Sequence, residues 1–129
     1  MLKYSPSGSL DTYYFNGGIL NPIHYGSYFH NMDAFCRIME AEEAHIMATR
    51  KTRRINVDMY ETYLTPVVRQ MLCEHFARIS SRITKLGIYG ADAATQNALK
   101  KHLVKCGYLG AGQLWFHRDP EVLKAWTVR

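Results

Sequence analysis

Apolar residues recur at steps of three and four in four stretches of the chain, the pattern of a helix with one buried face. Tyr25, Tyr28, Phe29, Met32, Phe35, Cys36 and Met39 form the first stripe, with Arg37, Glu40, Glu42 and Glu43 mostly off it. That spacing predicts a helix from Pro22 towards Ala48. Val68, Met71, Leu72, His75, Phe76 and Ile79 form a second stripe on a helix that starts at Thr65. Ala98, Leu99, His102, Leu103 and Cys106 form a third within Asp92 to Lys105, and Gly107 follows as a left-handed cap. Val122, Leu123 and Trp126 face inward from a short last helix. Asn21-Pro22, Thr65-Pro66 and Asp119-Pro120 each set a capping side chain before a proline. The side chain satisfies an orphan N–H at a helix start, and proline has no N–H to lose there.

Between these helices lie short runs of strand character. Ile55-Asn56-Val57-Asp58-Met59 alternates apolar and polar residues, and Ile83 to Tyr89 carries Ile83, Leu86, Ile88 and Tyr89. Leu114-Trp115-Phe116 follows the Gly110-Ala111-Gly112 turn. Leu2 to Tyr4 and Thr12 to Phe15 flank Ser5-Pro6-Ser7-Gly8 and predict an N-terminal hairpin. The expected order is β-β-α-β-α-β-α-β-α. Strands alternating with helices imply an α/β fold, here a mostly parallel sheet of about five strands with about four helices and right-handed crossovers.

At 129 residues the chain is the size of one domain, spanning 1–129, and can bury about two thirds of its unfolded surface. Hydrophobic residues make up 47% and charged residues 21%, which excludes a disordered chain. The formal charge of +5 tolerates anionic partners without requiring them. Three cysteines, an odd number without framework spacing, point to reduced thiols and a cytoplasmic setting. No apolar run approaches the roughly 18 residues of a membrane span, and Met1 to Leu20 has no signal-peptide pattern. The chain has no Gly-x-Gly-x-x-Gly, Gly-Lys-Ser/Thr, Gly-x-Ser-x-Gly or His-Glu-x-x-His motif. A non-enzymatic protein without a cofactor is therefore expected. Six His and three Cys lack zinc-site spacing, so no metal is expected either. His75 and His102 read as core histidines, and Cys36 and Cys106 as small hydrophobes in buried stripes.

Four segments carry a family resemblance. Gly18-Ile19-Leu20-Asn21 ends the hairpin and opens the first helix. Ile55 to Met59 leads through Tyr60 to Leu64 into Thr65-Pro66. Gly90-Ala91-Asp92 precedes a helix that ends near Gly107-Tyr108-Leu109, and Asp119-Pro120-Glu121 opens the closing helix. In this order the chain resembles a STAS domain (sulfate transporter and anti-sigma factor antagonist) over nearly its whole length. It departs from the pattern at the second helix. Anti-sigma factor antagonists present a phosphorylatable serine there in an Asp-Ser-Ser-Gly type segment. This chain reads Tyr63-Leu64-Thr65-Pro66-Val67, and Thr65 is the hydroxyl at that place. The resemblance implies a small cytoplasmic regulatory domain that binds a kinase-like or sensor protein.

The candidate partner surface, and the candidate phosphosite within it, is Asp58, Tyr60, Glu61, Thr62, Thr65 and Arg69. It lies where a parallel strand's carboxyl end meets a helix start. As a plain cap, Thr65 stabilises its helix by about 1 kcal/mol. As a phosphosite, it would set a dianion on the positive end of the helix dipole. Exposed Tyr25, Tyr28, Tyr60 and Tyr63 would mark an interaction patch. Arg50, Lys51, Arg53 and Arg54 form a basic run, read as a solvated approach to a strand or as an anion-binding patch. No recognised nucleic-acid module matches, so nucleic acid is disfavoured. A small apolar ligand or lipid is a further alternative, since the same superfold resembles Sec14-like carriers. The N-terminal hairpin edge leaves pairing with a second copy open.

Overall fold

Strands β3 (Arg53–Asp58) and β4 (Ile83–Tyr89) lie at the centre of the sheet and are apolar on one face, with Ile55, Val57, Leu86 and Ile88 fully buried there. The computed structural model describes residues 3–27 and 31–129. Among them, β1 (Tyr13–Phe15), β2 (Gly18–His24), β3, β4 and β5 (Leu114–Phe116) form one sheet in that order. β1 is antiparallel to β2, and the other pairs are parallel. The helices are α1 (Met32–Met47), α2 (Pro66–Ile79), α3 (Ala93–Leu99) and α4 (Pro120–Val128). The simple alternation is interrupted by 3-10 turns at Ser80–Arg82 and Ala111–Gln113 and by a π-helical stretch at Lys100–Lys105.

Parallel strands taken in sequential order through right-handed crossovers put the linking helices on one face. Phe35, Met39 and Ile46 of α1 pack there with Leu72, Phe76 and Ile79 of α2, and with Leu99 and Leu103. The opposite face of the sheet belongs to α4. Leu123 packs directly over Gly87, and the Thr127 hydroxyl donates to Asn56 Oδ1.

The N-terminal third differs from the expectation. Pro22 does not start a helix; Gly18 to Asn21 and Pro22 lie within β2, and α1 begins at Met32 with Asn31 as its cap. Pro22 is tolerated because β1 pairing ends at Tyr13 opposite Leu20, so no strand awaits its missing N–H on that edge. The hairpin turns at Asn16-Gly17, where φ is 47° and 80°. A two-residue loop between right-twisted strands needs positive φ at both positions, and Asn-Gly supplies it. The Ser5–Gly8 turn exists, but it closes only a single bridge between Tyr4 and Leu10. Leu2, Tyr28 and Phe29 lie outside the described residues. Tyr25 is fully buried rather than surface-forming, while Val122 and Cys106 are exposed rather than inward-facing. The remaining strands and the caps at Thr65, Asp119 and Gly107, the last at φ 84°, agree with the reading, and Asp92 is a further cap, at the start of α3.

Two polar clusters fasten the helices. Asp11 accepts from Asn21 at 2.7 Å, His45 at 2.7 Å and Arg53 at 2.8 Å, which ties the N-terminal segment to β2, α1 and β3. The second cluster runs from the end of β2 through α2 to α1. Burial, with Glu42 and Glu43 nearby, raises the Tyr25 hydroxyl well above its ordinary range, so it stays protonated. It donates to His75 Nε2, which leaves Nδ1 to donate to Glu43 Oε2 at 2.7 Å. Arg78 donates to both Glu43 oxygens, at 2.6 and 2.9 Å. Burial works against charge on Glu43, but the bonds from Arg78 and His75 outweigh it and hold the carboxyl at about 2.

A carboxyl held below its unfolded value stabilises the fold above the unfolded pKa, and that contribution fades as pH falls towards the folded one. Glu43 therefore costs the protein on the order of 2–3 kcal/mol as pH drops from about 4.5 to about 2. Glu43→Gln should be less stable at neutral pH and should lack this part of the acid-induced loss, as measured by urea unfolding across that range.

Candidate functional site

Parallel register brings the last residues of three strands side by side: His24 opposite Asp58, and Asp58 opposite Tyr89. Side chains alternate along a strand, so Asp58 shares its face with Asn56, and Tyr89 with Gly87. That is the α4 face, at the carboxyl edge of the sheet, where open α/β sheets gather ligands.

Asp58 organises the turn that follows. Its Oδ1 accepts from the Tyr60 N–H at 2.9 Å, a local side-chain turn that bends the chain out of β3. Met59 N–H donates to the Tyr89 carbonyl at 2.9 Å, which holds the β3–α2 loop against the end of β4. Gly90, at φ 85°, lies against the same turn, and a Cβ there would sit 2.5 Å from Tyr60 N. The Tyr60 ring packs 5.5 Å from the Tyr89 ring, and its hydroxyl donates to the Arg118 carbonyl at 3.1 Å. Burial, then the charge and hydrogen bond of Asp58, push the Tyr89 hydroxyl up to about 12, so it stays a neutral donor. His24 Nε2 lies 3.9 Å from Asp58 Oδ2 and 3.7 Å from Glu61 Oε2, beyond hydrogen-bond reach.

The loop then enters α2. Thr65 is its cap, with Oγ1 accepting from Val68 N–H at 3.2 Å and Pro66 at the first helical position. Arg69 donates from Nε to Thr95 Oγ1 at 3.3 Å. Tyr60 is 60% exposed, Tyr63 55% and Val67 63%. Tyr63 and Val67 line an apolar cleft of about 400 Å³, together with Met32, Phe35, Thr62, Thr65 and Val68, and Tyr60 lies away from it beside Tyr89.

Of the six residues proposed from sequence, Asp58, Tyr60 and Glu61 gather at the strand end, and Thr65 and Arg69 lie on the first turn and a half of α2. Thr62 is a correction. It is only 8% exposed, so it is no free phosphosite, and it meets the surface only in the lining of the apolar cleft. The basic run also divides. Arg53 is buried on Asp11, and Arg54 donates to the Thr127 carbonyl at 2.9 Å, leaving Arg50 and Lys51 exposed. Neutralised or engaged guanidinium groups do not form a free anion patch. Sequence reasoning missed His24, Asn56, Tyr89 and Lys124. With residues 18–24 placed in a strand, His24 would have fallen beside Asp58; the Asn16-Gly17 hairpin signal was the available clue.

Among the described residues no group of His, Cys, Asp and Glu is arranged to hold a metal, and no helix is long and apolar enough to cross a membrane. Compared with known proteins, the chain matches no protein-family model, no curated protein and no solved structure.

Removing the Thr65 hydroxyl should cost about 1 kcal/mol in Thr65→Ala, and Thr65→Asp should retain the cap. Urea denaturation of the two variants distinguishes these outcomes.

Proposed function

We propose that the chain is a small regulatory domain that acts by binding a protein partner at the β3–α2 loop and the start of α2. The observation that carries this is the exposed apolar group of Met32, Tyr63 and Val67, all three of which line the 400 Å³ cleft. Large exposed side chains clustered at one place, rather than scattered, are what interaction surfaces carry. The occupant we commit to is a peptide segment of the partner with one apolar anchor in the cleft and an acidic residue beside it. No acidic side chain occupies the first turn of α2, so the positive end of its dipole is open to a partner carboxylate. The STAS resemblance points to the same place. It adds a switch, since a phosphate on Thr65 would compete for that helix end and repel an acidic partner.

The apolar cleft favours one second reading, a small apolar ligand in place of the anchor. Native mass spectrometry of the purified protein detects such a cargo as an added mass.

Selection from a displayed random-peptide library tests the main reading. Enriched peptides should share an apolar residue next to Asp or Glu, and their affinity should fall about tenfold or more in Val67→Glu, which adds a like charge and fills the rim of the cleft. Peptides that bind Val67→Glu and Tyr63→Ser as well as the wild type would place the surface elsewhere.

A further inference from the structure

We propose that the cleft between α4 and the carboxyl ends of β2 and β3 binds a small protonated amine that also carries a hydrogen-bond acceptor. This site lies on the α4 face of the sheet and does not depend on the partner-binding reading. The cleft measures about 210 Å³, and its polar lining is His24, Asn56, Asp58, Tyr13, Tyr89 and Lys124. That is below the roughly 300 Å³ where drug-sized pockets begin, so the ligand is of amino-acid size.

Two unsatisfied atoms define what is missing. Asn56 is 3% exposed, and Thr127 holds one end of its amide. The other end, Nδ2, is buried and has no partner among the described residues. His24 Nε2 is in the same condition. Buried polar atoms are almost always paired, so two unpaired in one cleft mark a place for a polar guest. Nδ2 only donates, and it calls for an acceptor on the ligand.

Charge selects the other end of the guest. Asp58 Oδ2 and Glu61 Oε2 lie 3.9 and 3.7 Å from His24 Nε2, so two carboxylates stand at this edge, Asp58 in the cleft and Glu61 beside it. The Tyr89 hydroxyl stays protonated beside the Asp58 carboxylate at the same edge. Lys124 lines the opposite, α4 side of the cleft, where its ammonium lies 3.4 Å from Glu121 and over the rings of Tyr13 and Phe15. The strand-end side is therefore acidic, and an ammonium group fits it.

Amide NMR spectra of the full chain, titrated with L-alaninamide, test the proposal. Saturable shifts are expected at residues 24, 56–61 and 89. Propylamine, which lacks the acceptor, and propionamide, which lacks the charge, should each bind more weakly. Asp58→Asn should weaken alaninamide about tenfold. Glu61→Gln, at an exposed position that does not threaten the fold, should weaken it by about threefold or more. The proposal is overturned by an absence of saturable shifts with alaninamide, by equal affinity for propionamide, or by affinity unchanged in both variants.

Discussion

The Tyr25–His75–Glu43–Arg78 chain is the constraint on which the rest depends. It runs from the first residue after β2, through α2, to α1, and its middle member is fully buried. A buried imidazole between a hydroxyl and a carboxylate is tolerable only when both ring nitrogens are engaged, and here they are. Partial satisfaction would be worse than an apolar replacement, so the three elements keep one relative placement. Tyr25 also fixes the end of β2. His24 directly precedes it, so the position of the imidazole beside Asp58 follows from the anchoring of its neighbour.

Two surfaces therefore share one short segment. Asp58 belongs to the polar edge on the α4 face, while Tyr63 and Thr65 line the apolar cleft by α2. The segment between is tied by the Asp58 turn, the Met59 bond to β4 and the Tyr60–Tyr89 ring contact. Whatever pulls on the Asp58 carboxylate is one peptide group away from the exposed Tyr60 ring.

Much of the fold was legible because the strongest signals were local. Ile83 to Tyr89 and Leu114 to Phe116 announce themselves by apolar runs, and Thr65-Pro66 and Asp119-Pro120 by cap chemistry. The same cap logic failed at Asn21-Pro22. The dipeptide is identical in kind, but Asn21 is buried and donates to Asp11, a long-range partner that local pattern does not reveal. The site was half legible. Asp58, Tyr60 and Thr65 follow one another along the chain, whereas His24 and Tyr89 reach Asp58 only through strand register. Arg53 looked like one cation among four, and only its burial against Asp11 separates it from Arg50 and Lys51.

The Asn16-Gly17 turn has a further consequence, which is chemical ageing. Both residues are exposed at the tip of the hairpin, and glycine places no side chain between the asparagine amide and the following backbone nitrogen. Asparagine is thermolabile for that reason. Cyclisation and hydrolysis there would insert an extra backbone carbon into a two-residue loop whose geometry sets the pairing of Tyr13 with Leu20. The hairpin that opens the sheet thus carries a slow clock, and old protein would lose β1 before it lost any part of the buried core.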